Sequence, residues 1–353
     1  MRIAQIAPLY ESVPPHGYGG TERVVSYLTE ELVAQGHEVT LFASGDSQTR
    51  ATLVSGAPEA LRLGGCRDPY LPHLLMLEAA FTNARRFDII HCHVDAPCLP
   101  FARRSQVPVI STLHGRLDLE DLVPLYNEYA EQWVVSISDA QRDPIPDARW
   151  AATVHHGLPS HLYRFHPEHQ GYLAFIGRVS PEKRVDRAIE IAIRSHRPLR
   201  IAAKVDRADR EYFKETIEPM LHHPLVSWIG EVNDDAKDEF LGNAAAMLFP
   251  IDWPEPFGLT MIEALACGTP VIAWQHGSVS EVLEHGVTGF LCDDVGAAAR
   301  AVQRLDRISR ATCRQSFERR FTVERMARDY VQVYESVIRD HAGRRQPPRE
   351  QWT

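Results

Sequence analysis

Two glutamates, Glu255 and Glu263, stand with seven residues between them in "EPFGLTMIE", the first three a Pro-Phe-Gly turn. The preceding "AAMLFPI" reads as a strand, so the turn leaves a strand's carboxyl end. A helix is predicted to begin near Gly258 and to stop at Gly268. The amides of Phe257, Gly258, Leu259 and Thr260 are then donors at a helix N-terminus, a setting suited to phosphate. Gly258 lets a ligand approach the backbone closely. Helical side chains lean toward the N-terminus, so Glu263, about one turn in, points back at the same ligand. A carboxylate repels phosphate but accepts hydrogen bonds from hydroxyls, as in ribose recognition. Glu255 offers the same to a second polyol. The plainer alternative is that both acids only complement the helix dipole. The turn and the small-residue end "ACGTP" favour a ligand with hydroxyls at both ends and phosphate in the middle, a nucleotide sugar.

A second constellation, "FIGRVSPEKRVD", places a strand end at Arg178, an N-cap at Ser180, Pro181 at the first helical position and Lys183 in the first turn. A cation there opposes the dipole at a cost of about 0.3–1 kcal/mol, which makes sense if an anion sits beside it. Arg178 as a fork and Lys183 as a point charge suit one diphosphate. A third stretch, "PPHGYGGTERVV", links the first strand to the first helix. Gly19 and Gly20 permit close backbone approach, and Thr21 can cap the helix. The loop is too long for a dinucleotide fingerprint and lacks its third glycine, which disfavours a dehydrogenase.

Histidines form the fourth group. His91, His93 and His114 follow predicted parallel strands and are expected to face a ligand cleft. "HCH" suggests zinc, but strand alternation puts His91 and His93 on one side and Cys92 on the other. With only two local ligands, no metal is expected. His114 is the candidate for contact with a sugar hydroxyl. His93, Asp95 and the loop 10–20 are the candidates on the acceptor side.

The elements that must position these residues alternate. Strand and helix patterns follow one another through "RIAQIAP", "ERVVSYLTEELVAQG", "HEVTLFA", "FDIIHCH", "VPVISTLH" and "QWVVSIS". That β-α-β rhythm predicts an α/β fold with a parallel sheet covered on both faces. The rhythm breaks over 155–171, read as a linker, and restarts at "YLAFIGRVS". "TGFL" reads as a turn, and the following "CDD" at Cys292–Asp294 as a solvated loop. The expectation is two doubly wound domains with ligands bound beyond the strands' carboxyl ends, in the cleft between the domains.

Composition narrows the function. A chain of 353 residues with 44% hydrophobic content can fill two cores. Residues 1–160 hold 12 Arg, no Lys and 19 acids, which disfavours nucleic acid as a partner. No apolar run approaches a membrane span and "MRIAQIAPLY" is no signal peptide, so a cytoplasmic location is expected. Peripheral membrane contact and a homo-oligomer remain compatible. The six cysteines show no CxxC pairing and are expected to be reduced.

The combination of "GGTERV", "STLHG", "GRVSPEK", "GEV", "EPFGLTMIEALACGTPVIA" and "EVLEHGVTGFL" resembles the family 4 glycosyltransferases, which have the GT-B fold. The resemblance implies two Rossmann-like domains facing each other across a cleft: an acceptor-side domain over 1–158, with a helix at about 322–342 packing back on it, and a donor domain over 159–321. The tail 343–353 is expected to be mobile. It further implies a retaining hexosyltransferase that uses a UDP-, GDP- or ADP-sugar, an unknown hydroxyl acceptor and no cofactor. By that likeness Glu263 holds the ribose and Glu255 the sugar hydroxyls. Arg178 and Lys183 neutralise the leaving diphosphate, to which Gly20 offers an amide. Val232 meets the base through its main chain, and His114 contacts the sugar. The chain departs from the family's usual pattern at His156, Ala203 and His276. Other functions weighed on the same fold are a sugar phosphorylase, a nucleotide-sugar epimerase and a nucleotide-sugar-binding subunit without turnover.

Overall fold

The protein was analysed as a computed structural model, which describes residues 1–17 and 19–345. Two compact units divide the chain: Met1–Gly157 with the chain from Val323 onward, and Leu158–Thr322.

The first unit is built on seven strands: β1 (Arg2–Ile6), β2 (Glu38–Ser44), β3 (Thr52–Ala57), β4 (Ile89–Cys92), β5 (Val109–Thr112), β6 (Trp133–Ser136) and β7 (Trp150–Thr153). They lie in the order β3-β2-β1-β4-β5-β6-β7, with every neighbouring pair parallel. Each residue of β4 and β5 is buried, as a central strand covered on both faces requires. The helix Gly20–Ala34 turns Val24, Val25, Leu28 and Leu32 inward at the spacing of one helical face. The helix Val323–Arg345 buries Tyr330 and Tyr334, one turn apart, in this unit.

The second unit carries β8 (Leu173–Val179), β9 (Leu199–Val205), β10 (Val226–Gly230), β11 (Ala246–Phe249), β12 (Val271–Trp274) and β13 (Gly289–Cys292). The order is β10-β9-β8-β11-β12-β13, again parallel throughout. In both sheets the order reverses beside the first strand, between β1 and β4 and between β8 and β11. Ligands bind beyond the carboxyl ends at such switch points.

Several expectations need correction. "TGFL" is not a turn: Gly289 opens β13, where a Cβ would stand 1.9 Å from the Val271 carbonyl oxygen, so only glycine fits beside β12. Asp294 does more than meet solvent, since its side chain accepts from the Ala297 amide and caps the helix Val295–Val302. The helix expected from Pro181 is broken. Pro181–Lys183 form one 3-10 turn, Arg184 takes a left-handed conformation (φ 54°), and the α-helix runs only from Val185 to Ser195. The linker reading of 155–171 is too loose, because 158–171 pack on the second unit. There the Arg164 guanidinium meets Asp238 at 2.7 Å and the His166 amide donates to the Cys267 carbonyl. The last helix runs to Arg345, so 343–345 are helical; the remainder of the expected mobile tail lies outside the described residues. The cysteines are not all reduced. Cys92 and Cys98 form a disulfide, brought together where the chain turns at Asp95 (φ 50°) after β4. Their separation of six residues carries no pairing signal in the sequence. Cys66, Cys267, Cys292 and Cys313 are free.

Candidate active site

In the second unit the chemistry gathers at the carboxyl ends of β8 and β11. Backbone stitches the two loops together: the Asp252 amide donates to the Glu182 carbonyl at 2.8 Å. Arg184 reinforces this by bridging Asp186 and Asp252. Lys183 thereby reaches Glu255, 2.5 Å from its Oε2, and the Trp253 indole donates to the same oxygen at 3.1 Å. The Lys183 ammonium also lies over the rings of Trp253 (4.9 Å) and Phe249 (5.4 Å). A buried carboxylate and a cation on aromatic faces therefore share one corner.

Glu255 is held from behind as well. Gly277 (φ 57°) packs so closely that a Cβ there would be 2.4 Å from the Glu255 carbonyl oxygen. The next amide, of Ser278, donates to that oxygen at 3.0 Å, and the Ser278 hydroxyl donates to the Phe257 carbonyl at 2.9 Å. Gly277 and Ser278 directly follow His276 in the sequence, and their support of Glu255 comes from tertiary packing.

Gly258 N-caps the helix Leu259–Cys267 in a left-handed conformation (φ 79°), and Gly268 ends it in another (φ 84°). The amides of Leu259 and Thr260 open this helix and have no acceptor within it. The Phe257 side chain is buried against Phe321, so only its backbone remains for a ligand. Glu263, one turn in, is 2% exposed. Its Oε1 accepts from Lys237 at 2.9 Å, while its Oε2 is buried without a hydrogen-bond partner. Lys237 escaped the sequence reading. It belongs to the helix Asp234–Gly242, capped by Asn233 directly after Val232, and that helix carries it to Glu263. A lysine in a polar stretch far from Glu263 gives no sign of such a pairing.

Arg178, at the end of β8, donates to Glu182 at 2.7 Å and has Asp206 and Asp209 each at 3.8 Å, while its Nε makes no hydrogen bond. Lys183 sits in the 3-10 turn and not in the helix, so the expected opposition to a helix dipole does not apply to it.

In the first unit, Gly19 holds the N-cap position and Gly20 opens the helix; no side chain caps it, so Thr21 does not play the part expected. The histidines divide. His91 is fully buried and does not face a cleft: its Nδ1 meets the Tyr334 hydroxyl at 2.8 Å and its Nε2 the Thr112 hydroxyl at 2.7 Å. Strand alternation does put His91 and His93 side by side, rings 4.0 Å apart. His93 bonds His114 through Nδ1 (2.8 Å) and Gln5 through Nε2 (2.7 Å). His114 is half-buried and stacks on His156, with ring centroids 5.4 Å apart. Burial holds His91, His93 and His156 well below the usual imidazole range and His114 down at about 3, so all four are neutral near pH 7. Asp95 is exposed as a residue, yet desolvation of its carboxyl by the protein packed around it pushes it up to about 7. Among the described residues no group of three or more His, Cys, Asp or Glu is placed to hold a metal ion.

A cavity of about 650 Å³ in the second unit, lined by Phe165, Arg197, Pro270, Gln303 and Arg310, lies elsewhere. Ala245 and Pro270 place it at the amino ends of β11 and β12, the end of the sheet opposite the loops that carry Glu255.

Two family models match the chain: Glycosyl transferases group 1 over residues 164–320 and Glycosyltransferase Family 4 over residues 18–142. Among curated relatives, an N-acetyl-alpha-D-glucosaminyl L-malate synthase of Bacillus anthracis is 24% identical, covering 94% of this chain and 96% of its own. Among solved structures, AviGT4, a glycosyltransferase involved in avilamycin A biosynthesis, superimposes with a TM-score of 0.75 at 23% identity, covering 96% of this chain and 98% of its own. Anabaena Alr3699/HepE, solved in complex with UDP and glucose, does so with a TM-score of 0.70 at 19% identity, covering 95% and 100%. No helix among the described residues is long and apolar enough to cross a membrane.

Proposed function

Because this chain belongs to the family 4 glycosyltransferases and has their GT-B fold, we propose that it moves a hexose from a nucleoside-diphosphate sugar to a hydroxyl acceptor, with retention of anomeric configuration and without a metal ion. The observation that carries this reading is Glu263. A carboxylate this buried, with one oxygen held by Lys237 and the other unpartnered, is set to accept from hydroxyls, and the ribose of the donor supplies them.

The neighbouring groups then fall into roles. The amides of Gly258, Leu259 and Thr260 face the diphosphate, and Gly258 has no side chain to obstruct it. Lys183 exchanges Glu255 for a phosphate oxygen, and Glu255, still held by Trp253, takes a sugar hydroxyl. Arg178 adds a second cation near the phosphates. Val232 presents main chain to the base; within the first unit, Gly19 and Gly20 are suited to a phosphate and His114 to a sugar hydroxyl. Asp95 stands on the acceptor side, while His93, buried with both ring nitrogens engaged, supports His114 rather than meeting the acceptor itself. As the glycosidic bond breaks, negative charge grows on the diphosphate, and fixed cations and amide dipoles stabilise it without rearranging.

The test is phosphorus and proton NMR of the protein with UDP-, GDP- and ADP-sugars in metal-free buffer. Release of one nucleoside diphosphate, with the sugar transferred to water or acceptor in its original configuration, supports the reading. Inversion overturns its retaining part, and inertness toward every donor overturns it altogether.

A further inference from the structure

The histidine cluster of the first unit is more ordered than a sugar contact alone requires. It forms one hydrogen-bonded chain in which the orientation of the Gln5 amide sets the place of each proton. Gln5 lies at its centre on β1, fully buried. Its amide nitrogen donates to the Tyr334 hydroxyl at 3.0 Å, and its carbonyl oxygen faces His93 Nε2 at 2.7 Å. A carbonyl oxygen only accepts, so His93 carries its proton on Nε2. With His93 neutral, Nδ1 is bare and must accept from His114 Nε2 at 2.8 Å. His114 is then protonated on Nε2, and its Nδ1 is left as a lone pair, buried and without a protein partner.

The other arm obeys the same logic. The Tyr334 hydroxyl accepts from Gln5 and donates to His91 Nδ1. His91 Nε2 donates to Thr112, whose hydroxyl meets that of Tyr330 at 3.0 Å. Tyr334, on the last helix of the chain, is the partner of the Gln5 amide nitrogen, which leaves the carbonyl oxygen to His93.

We propose that Gln5, acting through His93, holds His114 in the tautomer whose bare Nδ1 accepts a hydrogen bond from a substrate hydroxyl. The tautomer excludes as well as admits. A bare imidazole nitrogen attracts hydroxyl donors and repels phosphate oxygens, so His114 selects a hydroxyl over a phosphate. Gln5 and His93 are positioning residues; neither is required to touch substrate. The proposal rests on the glycosyltransferase reading for the identity of that hydroxyl, but the tautomer itself does not depend on it.

The first readout is therefore made on the ligand-free protein. Long-range proton–nitrogen NMR of imidazole-labelled protein distinguishes a protonated from a bare ring nitrogen. The expected result is His114 and His93 both protonated on Nε2. A proton on His114 Nδ1 overturns the proposal, whatever the enzyme's substrate. The second readout compares Gln5→Leu with Gln5→Glu. Glutamate keeps an acceptor toward His93 and should retain the His114 tautomer. Leucine removes it and should let the two tautomers mix, with a loss of roughly 3- to 10-fold in kcat/KM, the worth of one ordinary hydrogen bond. The nucleotide Kd should stay unchanged in both. Equal activity in Gln5→Leu and wild type overturns the functional half. Loss of nucleotide affinity and of tautomer order together assigns Gln5 to general packing and equally counts against it.

Discussion

Glu263→Gln is the substitution that most sharply probes the donor site. It keeps the side chain's shape and one oxygen that can still accept from Lys237, but removes the charge. In the wild type Oε2 is buried and unpartnered and Oε1 is held at 2.9 Å, so on the proposed reading a ribose hydroxyl bound there meets an anion in a largely dry setting. A hydrogen bond to a charged group contributes about 1.5–3 kcal/mol, and about 1.4 kcal/mol is tenfold in affinity. The variant should bind the nucleoside diphosphate roughly 10- to 100-fold more weakly. Calorimetric titration measures this directly. Stability must be followed in parallel, because removing one member of a buried ion pair can cost about 3–5 kcal/mol. The double variant Glu263→Gln with Lys237→Met separates the two effects. It abolishes the buried charge and should recover melting temperature without recovering affinity. A single variant that folds normally and binds nucleotide as tightly as wild type refutes the assignment of Glu263 to the ribose.

Four further outcomes are expected. Glu255→Gln should lower kcat by more than about tenfold while nucleotide Kd changes little, if its partner is the sugar as proposed; a variant defective mainly in nucleotide binding contradicts that split. Transfer should survive exhaustive EDTA treatment, because Lys183, Arg178 and the helix amides supply the positive field; loss on chelation with rescue by Mg²⁺ or Mn²⁺ contradicts it. Gly277→Ala should lower both melting temperature and turnover, because its Cβ would lie 2.4 Å from the Glu255 carbonyl oxygen at φ 57°, strain on the order of 1–3 kcal/mol; unchanged turnover contradicts the support of Glu255. Acid should destabilise the fold through the imidazoles. Their native pKa values are depressed, so the unfolded chain binds more protons, and the stability they contribute is complete above about 6.5 and is lost as pH falls from there, at about 1.4 kcal/mol per imidazole per pH unit. A melting temperature flat from pH 7.5 to 5 contradicts it.

Much of the fold could be read from continuous apolar runs. Strands such as β4, β5, β11 and β12 are buried along their whole length, and that burial shows directly as apolar sequence. Edge strands were harder. β3 is half-exposed and β13 opens with a glycine, so neither carries a strong strand signal. The same division holds for the site. Glu255, Glu263 and Gly258 sit on one turn and helix, where spacing alone fixes their relation. Lys183 was found, but its pairing with Glu255 depends on two loops from adjacent strands. Lys237 and Gln5 were missed because their partners lie 26 residues away and, for Gln5, 329 residues away. The disulfide shares that blindness, since a turn after β4 brings its two cysteines together.

The measurement that bears most directly on the central claim is a thermal-shift and calorimetric panel of UDP, GDP, ADP and their sugars on the wild-type protein. The account predicts that one base is preferred and that its nucleotide, at about 100 times its Kd, stabilises the protein by roughly 2.7 kcal/mol, without added metal. A panel in which no nucleoside diphosphate or nucleotide sugar binds would contradict it.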